Sequence, residues 1–188
     1  MNTLCKIITL VVLASAFGLG KARSEEIYLV RGGFEIFSVG MDSMAQQLRA
    51  KGYKAQSHSI VGWKGIASDI IKRSKTKSVS YPIIFLGHSL GADVANEFAA
   101  YLGENGVTAD LVIGFDATSQ KTFTRGAKRV VNFRTTGGGH YVKGAGFKGS
   151  IKEVDVTHLG VNHMTIEQDA AVQKLALAEV MKLLPRRR

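Results

Sequence analysis

The run from Tyr81 to Asp93, YPIIFLGHSLGAD, constrains the fold of this chain more than any other stretch. Its first half is apolar and of strand length; its second half opens a helical pattern. Between them lies Gly87-His88-Ser89-Leu90-Gly91. A turn from strand to helix in so few residues leaves no room for side chains beside it and needs unusual backbone angles. Glycine supplies both. Such a turn lifts a serine hydroxyl above the edge of a parallel sheet, the arrangement known as a nucleophile elbow. In a chain with 21 glycines the pentapeptide alone says little. The strand before it and the helix after it give it weight.

The rest of the chain repeats that alternation, which predicts an α/β fold: a three-layer sandwich with a mostly parallel sheet flanked by helices. Ile27–Val30 reads as the first strand, and Met44, Ala45 and Leu48 mark a helix over Met41–Ala50 that ends near Gly52. Tyr53–Ser59 reads as an edge strand and Trp63–Arg73 as the second helix. After the elbow a helix runs through Val94, Phe98 and Leu102, stopped by Gly103 or Gly106. Asp110–Phe115, Arg129–Phe133 and the alternating Ser150–Val156 complete the strands; Met164–Leu184 is a long closing helix broken by Pro185. Thr135–Gly149, with six glycines around His140, Tyr141 and Phe147, reads as a mobile loop over one end of the sheet. No internal repeat, linker or second domain is visible.

Residues 1–24 read as a signal peptide rather than as part of the fold. Ile7–Gly20 is apolar or small apart from Thr9 and Ser15, too short to span a bilayer, and Ala22-Arg23-Ser24 places small residues ahead of a cleavage point after Ser24 or a few residues earlier. The expected mature domain is 25–188, exported to the periplasm or secreted. The one cysteine, Cys5, falls in the removed segment, so the mature domain has no thiol for a disulfide or a thiolate metal site. The net charge is +10, and losing Lys6, Lys21 and Arg23 leaves +7. A basic surface suits anionic partners such as lipopolysaccharide or phospholipid. Nucleic acid is not expected, because no basic stretch is interleaved with aromatic residues.

A serine hydroxyl at neutral pH needs a base to take its proton and a carboxylate to orient that base. Ser89 is the candidate nucleophile. Asp116, at the end of Leu111-Val112-Ile113-Gly114-Phe115-Asp116, is the candidate acid, delivered by a strand to the same sheet edge. Asp155 is its rival but sits inside an alternating strand pattern, and Asp93 suits the dipole of the elbow helix. His163, in the loop before the closing helix, is the candidate base, with His158 as the competitor. The backbone N–H of Leu90 and that of Gly33 or Phe34 are candidate donors to an oxyanion; the sequence does not separate the latter two. Arg31, His88 and His140 are candidate substrate contacts, with packing or shaping of the elbow as the other reading of His88. The five histidines form no ligand set, so neither a metal nor another cofactor is expected.

With these pieces placed, the chain from about Ile27 to Leu184 resembles the α/β-hydrolase superfamily, in particular small lipase-like and thioesterase-like members. The resemblance is carried by Leu86-Gly87-His88-Ser89-Leu90-Gly91-Ala92, by Gly114-Phe115-Asp116 and by the histidine ahead of the last helix. The opening Leu29–Asp42, LVRGGFEIFSVGMD, looks like that of a group of exported bacterial hydrolases. The resemblance implies a Ser-Asp-His triad at Ser89, Asp116 and His163 on a minimal hydrolase fold without a cap domain. Many relatives carry His-Gly where this chain has Arg31-Gly32, which makes Arg31 a candidate to bind a substrate carboxylate or phosphate or to pair with Glu35. The implied activity is cleavage of carboxylic esters, small, lipid or polymeric, through an acyl-enzyme. The alternatives are a thioesterase, or a non-catalytic ligand-binding protein on the same fold.

Overall fold

The computed structural model describes residues 25–33 and 38–186. The expected signal peptide, Phe34 and the last two arginines lie outside the described residues. The elements in chain order are β1 (Glu26–Val30), α1 (Val39–Ala50), β2 (Ala55–His58), α2 (Trp63–Lys75), β3 (Ile83–His88), α3 (Leu90–Asp93), α4 (Ala95–Glu104), β4 (Leu111–Phe115), β5 (Lys121–Phe123), β6 (Arg129–Arg134), β7 (Tyr141–Lys143), β8 (Ser150–Asp155) and α5 (Ala170–Met181). Among the described residues no helix is long and apolar enough to cross a membrane.

Six strands form one sheet in the order β2-β1-β3-β4-β6-β8, with every pairing parallel. Parallel sheets need cover on both faces, and the strand sequences show it. In β3 all six residues are buried. Ile84 and Leu86 point to a core shared with Met44 and Leu48 of α1 and with Val172 and Val180 of α5. Ile83 and Phe85 point the other way, to Ile70 of α2 and to Phe98 and Leu102 of α4. The result is the expected three-layer α/β-hydrolase sandwich, with no cap domain among the described residues. Chain order reverses between β1 and β3, so a crevice opens at the carboxyl ends of those two strands. Ser89 stands there.

Three expectations need correction. The closing helix starts at Ala170, not at Met164, because Asp169 accepts the N–H groups of Ala171 (2.9 Å) and Val172 (3.0 Å) and so caps it there. The residues before it form tight turns, closed by bonds such as Ile166 N–H to the Asn162 carbonyl (2.9 Å). The helix after Ser89 is two helices, interrupted at Val94. There the Tyr141 hydroxyl donates to the Ala92 carbonyl at 2.6 Å, occupying an acceptor that a continuous helix would use.

The glycine-rich stretch is not a loose loop. Its Tyr141–Lys143 pairs in parallel with Lys121–Phe123, a strand the sequence pattern did not reveal. Tyr141 is buried, its ring 5.0 Å from that of Phe123. The approach requires glycine at 114, where a Cβ would stand 2.1 Å from the Tyr141 hydroxyl.

Candidate active site

Ser89 follows β3 directly, with φ +54° and ψ −119°, a region an L-residue rarely enters. The surroundings hold it there: its N–H donates to the Phe115 carbonyl (3.0 Å) and its carbonyl accepts from Asp93 N–H (2.9 Å). Both elbow glycines are explained by close backbone approach. A Cβ on Gly87 would lie 2.1 Å from the Gly91 carbonyl oxygen, and one on Gly91 would lie 2.4 Å from that of Val30. The turn is therefore wedged between its own helix and β1, which fixes the hydroxyl relative to the sheet.

Asp116 follows β4 directly, is 1% exposed, and also has a positive φ (+51°). Its Oδ1 accepts from Thr135 N–H at 2.7 Å and from Thr135 Oγ1 at 2.9 Å. Gly138 closes over the same oxygen, which a Cβ there would meet at 2.0 Å. One edge of the carboxylate is thus tied to the segment after β6, and Oδ2 faces His163.

His163 bridges the two. Its Nδ1 lies 2.9 Å from Asp116 Oδ2 and its Nε2 lies 2.9 Å from Ser89 Oγ. A carboxylate only accepts, so Nδ1 carries the hydrogen; Nε2 is then the acceptor for the serine O–H. The ring is partly open to solvent, its side chain 40% exposed. The rivals lie elsewhere. Asp155 is exposed and accepts from Thr157 N–H at 2.9 Å, and His158 is exposed on the turn that follows.

A cavity of about 340 Å³ opens beside Ser89 and His163, with Gly33, Leu90 and Met164 in its wall. Gly33 lies against Leu90, which a Cβ would meet at 2.9 Å. The Leu90 amide, first in α3, lacks an intrahelical acceptor and stands next to Ser89. Two larger hollows, about 560 and 440 Å³, are lined respectively by residues at the start of β1, such as Glu26, and by residues preceding β6 and β8. They sit at the opposite rim, away from the serine.

The three candidate substrate contacts have other partners. Arg31 Nη2 donates to Asp42 Oδ1 at 3.1 Å and to Ser57 Oγ at 3.3 Å, and Arg31 does not line the cavity. Asp42 is an acid opposite it; Glu35, the partner the sequence offered, lies outside the described residues. His140 is exposed and its Nδ1 faces Glu153 at 3.2 Å, also away from the cavity. His88 borders the cavity but is 2% exposed, and both its ring nitrogens are occupied, by Ser38 Oγ and by the His163 carbonyl, each at 2.9 Å. Burial holds its pKa below the usual imidazole value. Among the described residues no group of three or more His, Cys, Asp or Glu side chains is arranged to hold a metal ion.

Sequence reasoning did not single out Ser38 or Thr135. Ser38 precedes α1, where a serine reads as a helix cap, and Thr135 looks like the start of a loop. Only the fold brings them to Gly32, His88 and Asp116.

The family Lipase (class 3) matches residues 24–141, more than half of the chain. The chain belongs to the class 3 lipase family. The matched span of this class 3 lipase takes in Ser89 and Asp116 and ends before His163. It is therefore a lipase-like hydrolase with the α/β-hydrolase fold. No curated protein matches the sequence. Two solved structures are among those this chain is similar to. One is a protein of Xanthomonas campestris assigned to the alpha/beta hydrolase superfamily, 12% identical, TM-score 0.49, covering 84% of this chain and 98% of its own. The other is YbtT, a type II thioesterase of the yersiniabactin pathway, 11% identical, TM-score 0.47, covering 87% and 94%.

Proposed function

We propose that the protein is a serine esterase that cleaves carboxylic esters through an acyl-enzyme, with Ser89 as nucleophile, His163 as base and Asp116 as the group that orients it. The observation carrying this reading is the double contact of His163, 2.9 Å from Ser89 Oγ and 2.9 Å from Asp116 Oδ2. Ser89 Oγ attacks the ester carbonyl carbon while its proton passes to His163 Nε2. The carbonyl oxygen becomes an oxyanion held by the amides of Leu90 and of Gly33 or Phe34; one such donor is worth about 3 kcal/mol in comparable sites. Collapse of the tetrahedral adduct breaks the C–O bond, and the alcohol leaves with the proton from His163. Water then attacks the acyl-enzyme, His163 again taking and returning a proton, and the carboxylic acid departs from a restored serine.

Leu90 and Met164, each 43% exposed and set beside Ser89, favour an apolar acyl group over a charged one. A purely ligand-binding role leans on Arg31 as an anion anchor, and the Arg31–Asp42 pair argues against that. The test is hydrolysis of p-nitrophenyl esters of increasing acyl length, with Ser89→Ala as control. Turnover in the parent that vanishes in the variant is expected; turnover retained without the hydroxyl would remove the proposal.

A further inference from the structure

A buried imidazole beside the site has no place in the reaction just described. His88 is 2% exposed, follows the apolar run of β3, and packs with its ring centroid 5.3 Å from that of His163. Each of its nitrogens meets a partner whose chemistry fixes the hydrogens. The His163 carbonyl oxygen, 2.9 Å from Nε2, can only accept, so Nε2 carries the hydrogen. Nδ1 is then an acceptor and takes the hydroxyl hydrogen of Ser38 at 2.9 Å. Ser38 Oγ in turn accepts the N–H of Gly32 at 3.0 Å. One tautomer satisfies all three bonds, in a chain from the loop after β1, through Ser38 and His88, to the backbone of His163.

Ser38 shows that this chain is favoured over local structure. It occupies the N-cap position of α1, yet its side chain makes no capping bond there. A serine there ordinarily caps the helix, and here the hydroxyl turns inward to Gly32 and His88 instead. Gly32 adjoins Gly33, whose amide is a candidate oxyanion donor, and a Cβ on Gly32 would lie 2.9 Å from Ser89 Cβ. The loop that presents the oxyanion donor and the loop that presents the base come from opposite ends of the sequence. Among the hydrogen bonds of the described residues, the path Gly32–Ser38–His88–His163 joins them directly.

We propose that His88 is a positioning residue: through Ser38 on one side and the His163 carbonyl on the other, it sets the oxyanion loop and the base relative to each other. Its ring nitrogens bond to Ser38 and to the His163 backbone, not to Ser89 Oγ or to the ring nitrogens of His163. The proposal rests on the Ser89–His163–Asp116 reading of the site and adds a fourth and a fifth side chain to it. A misplacement of about 1 Å in such a constellation can cost about 100-fold in rate. Loss of the tie therefore lowers kcat far more than it changes KM: Ser38 and His88 also border the cavity but are almost fully buried, and the exposed apolar wall, Leu90 and Met164, is not part of the chain.

The test compares His88→Phe, His88→Gln, Ser38→Ala and the His88→Phe/Ser38→Ala pair on p-nitrophenyl butyrate, per folded molecule. Phe keeps the ring volume without polar atoms; Gln restores a donor near the Nε2 position. His88→Phe is expected to lower kcat about 10- to 100-fold with KM within about twofold. His88→Gln should recover a substantial part of that loss. The double variant should be no worse than the poorer single one, since both remove the same link. Unchanged kcat in His88→Phe, or losses that multiply in the pair, would overturn the proposal. If His88→Phe does not fold, or if the parent proves inactive, imidazole nitrogen NMR of the parent and of Ser38→Ala decides the matter. His88 must be the Nε2–H tautomer in the parent, and Ser38→Ala must shift the His163 ring signals. An Nδ1–H tautomer, or an unmoved His163, refutes the coupling. The hydrolytic reading of the site itself fails or survives separately, on the Ser89→Ala assay.

Discussion

Glu167 offers a quantitative handle on the loop that carries His163. It lies four residues beyond that histidine, is 0% exposed, and its backbone sits so close to the start of α1 that a Cβ on Gly40 would meet the Glu167 carbonyl oxygen at 2.1 Å. Gln173 Nε2 donates to the same oxygen at 2.8 Å. Burial pushes the carboxyl up from 4.5 to about 7, only partly offset by nearby backbone amides at Gly40 and Gln168. The folded state therefore binds this proton more tightly than the unfolded chain does. Its contribution to stability is fully present below about pH 4.5 and is lost as the pH rises through about 7. The rise corresponds to roughly 3 kcal/mol as a ceiling, at about 1.4 kcal/mol per pH unit. Local relaxation around a buried charge brings the expected figure to about 1–3 kcal/mol. Glu167→Gln keeps the shape and removes the titration. Urea unfolding of parent and variant from about pH 5 to pH 8.5 isolates the effect, because the other titrating groups cancel in the difference. The variant should gain about 1–3 kcal/mol on the parent across that interval, or several degrees in Tm. A difference that stays flat with pH would show that the carboxyl is not held in its neutral form by burial.

Asp116→Asn should leave the fold intact and lower kcat by about 10³–10⁴-fold, because the amide oxygen takes the Thr135 bonds and the NH₂ group then faces His163 Nδ1, imposing the wrong tautomer; steady-state kinetics and a melting curve check both halves. Gly91→Ala drives a methyl to 2.4 Å from the Val30 carbonyl oxygen, so it should cost about 1–3 kcal/mol in thermal stability and more than about tenfold in ester turnover by displacing the elbow. Asp169→Ala removes the cap of α5 and should lower stability by about 1 kcal/mol, with kcat nearly unchanged because the capped residues lie beyond the His163 loop.

How much of this was legible beforehand depended on the kind of contact involved. The central strands β3 and β4 are near-continuous apolar runs because both faces are covered, and such runs are visible one residue at a time. The elbow was legible for a similar reason: its glycines answer to backbone contacts within a few residues and to the adjacent first strand. Tyr141–Lys143 was hidden because three residues among glycines carry no periodicity, and what holds them is a distant partner, Phe123. The start of α5 was misplaced because apolar residues continue back to Met164, while Asp169, a single capping side chain, decides the boundary. Arg31 was read as available because its partner Asp42 lies a helix turn into α1, and Ser57 comes from another strand altogether. Ser38 shows the limit most plainly: it stands at the N-cap position of α1, yet its hydroxyl bonds to Gly32 and to His88, the latter far from it in the sequence.

The most direct measurement is covalent. Folded protein incubated with a fluorophosphonate at neutral pH, digested and mapped by mass spectrometry, should carry one phosphonyl group on Ser89, with labelling slowed sharply in His163→Ala. An unlabelled folded protein, or an adduct on another residue at the same rate, would contradict an activated serine at the end of β3.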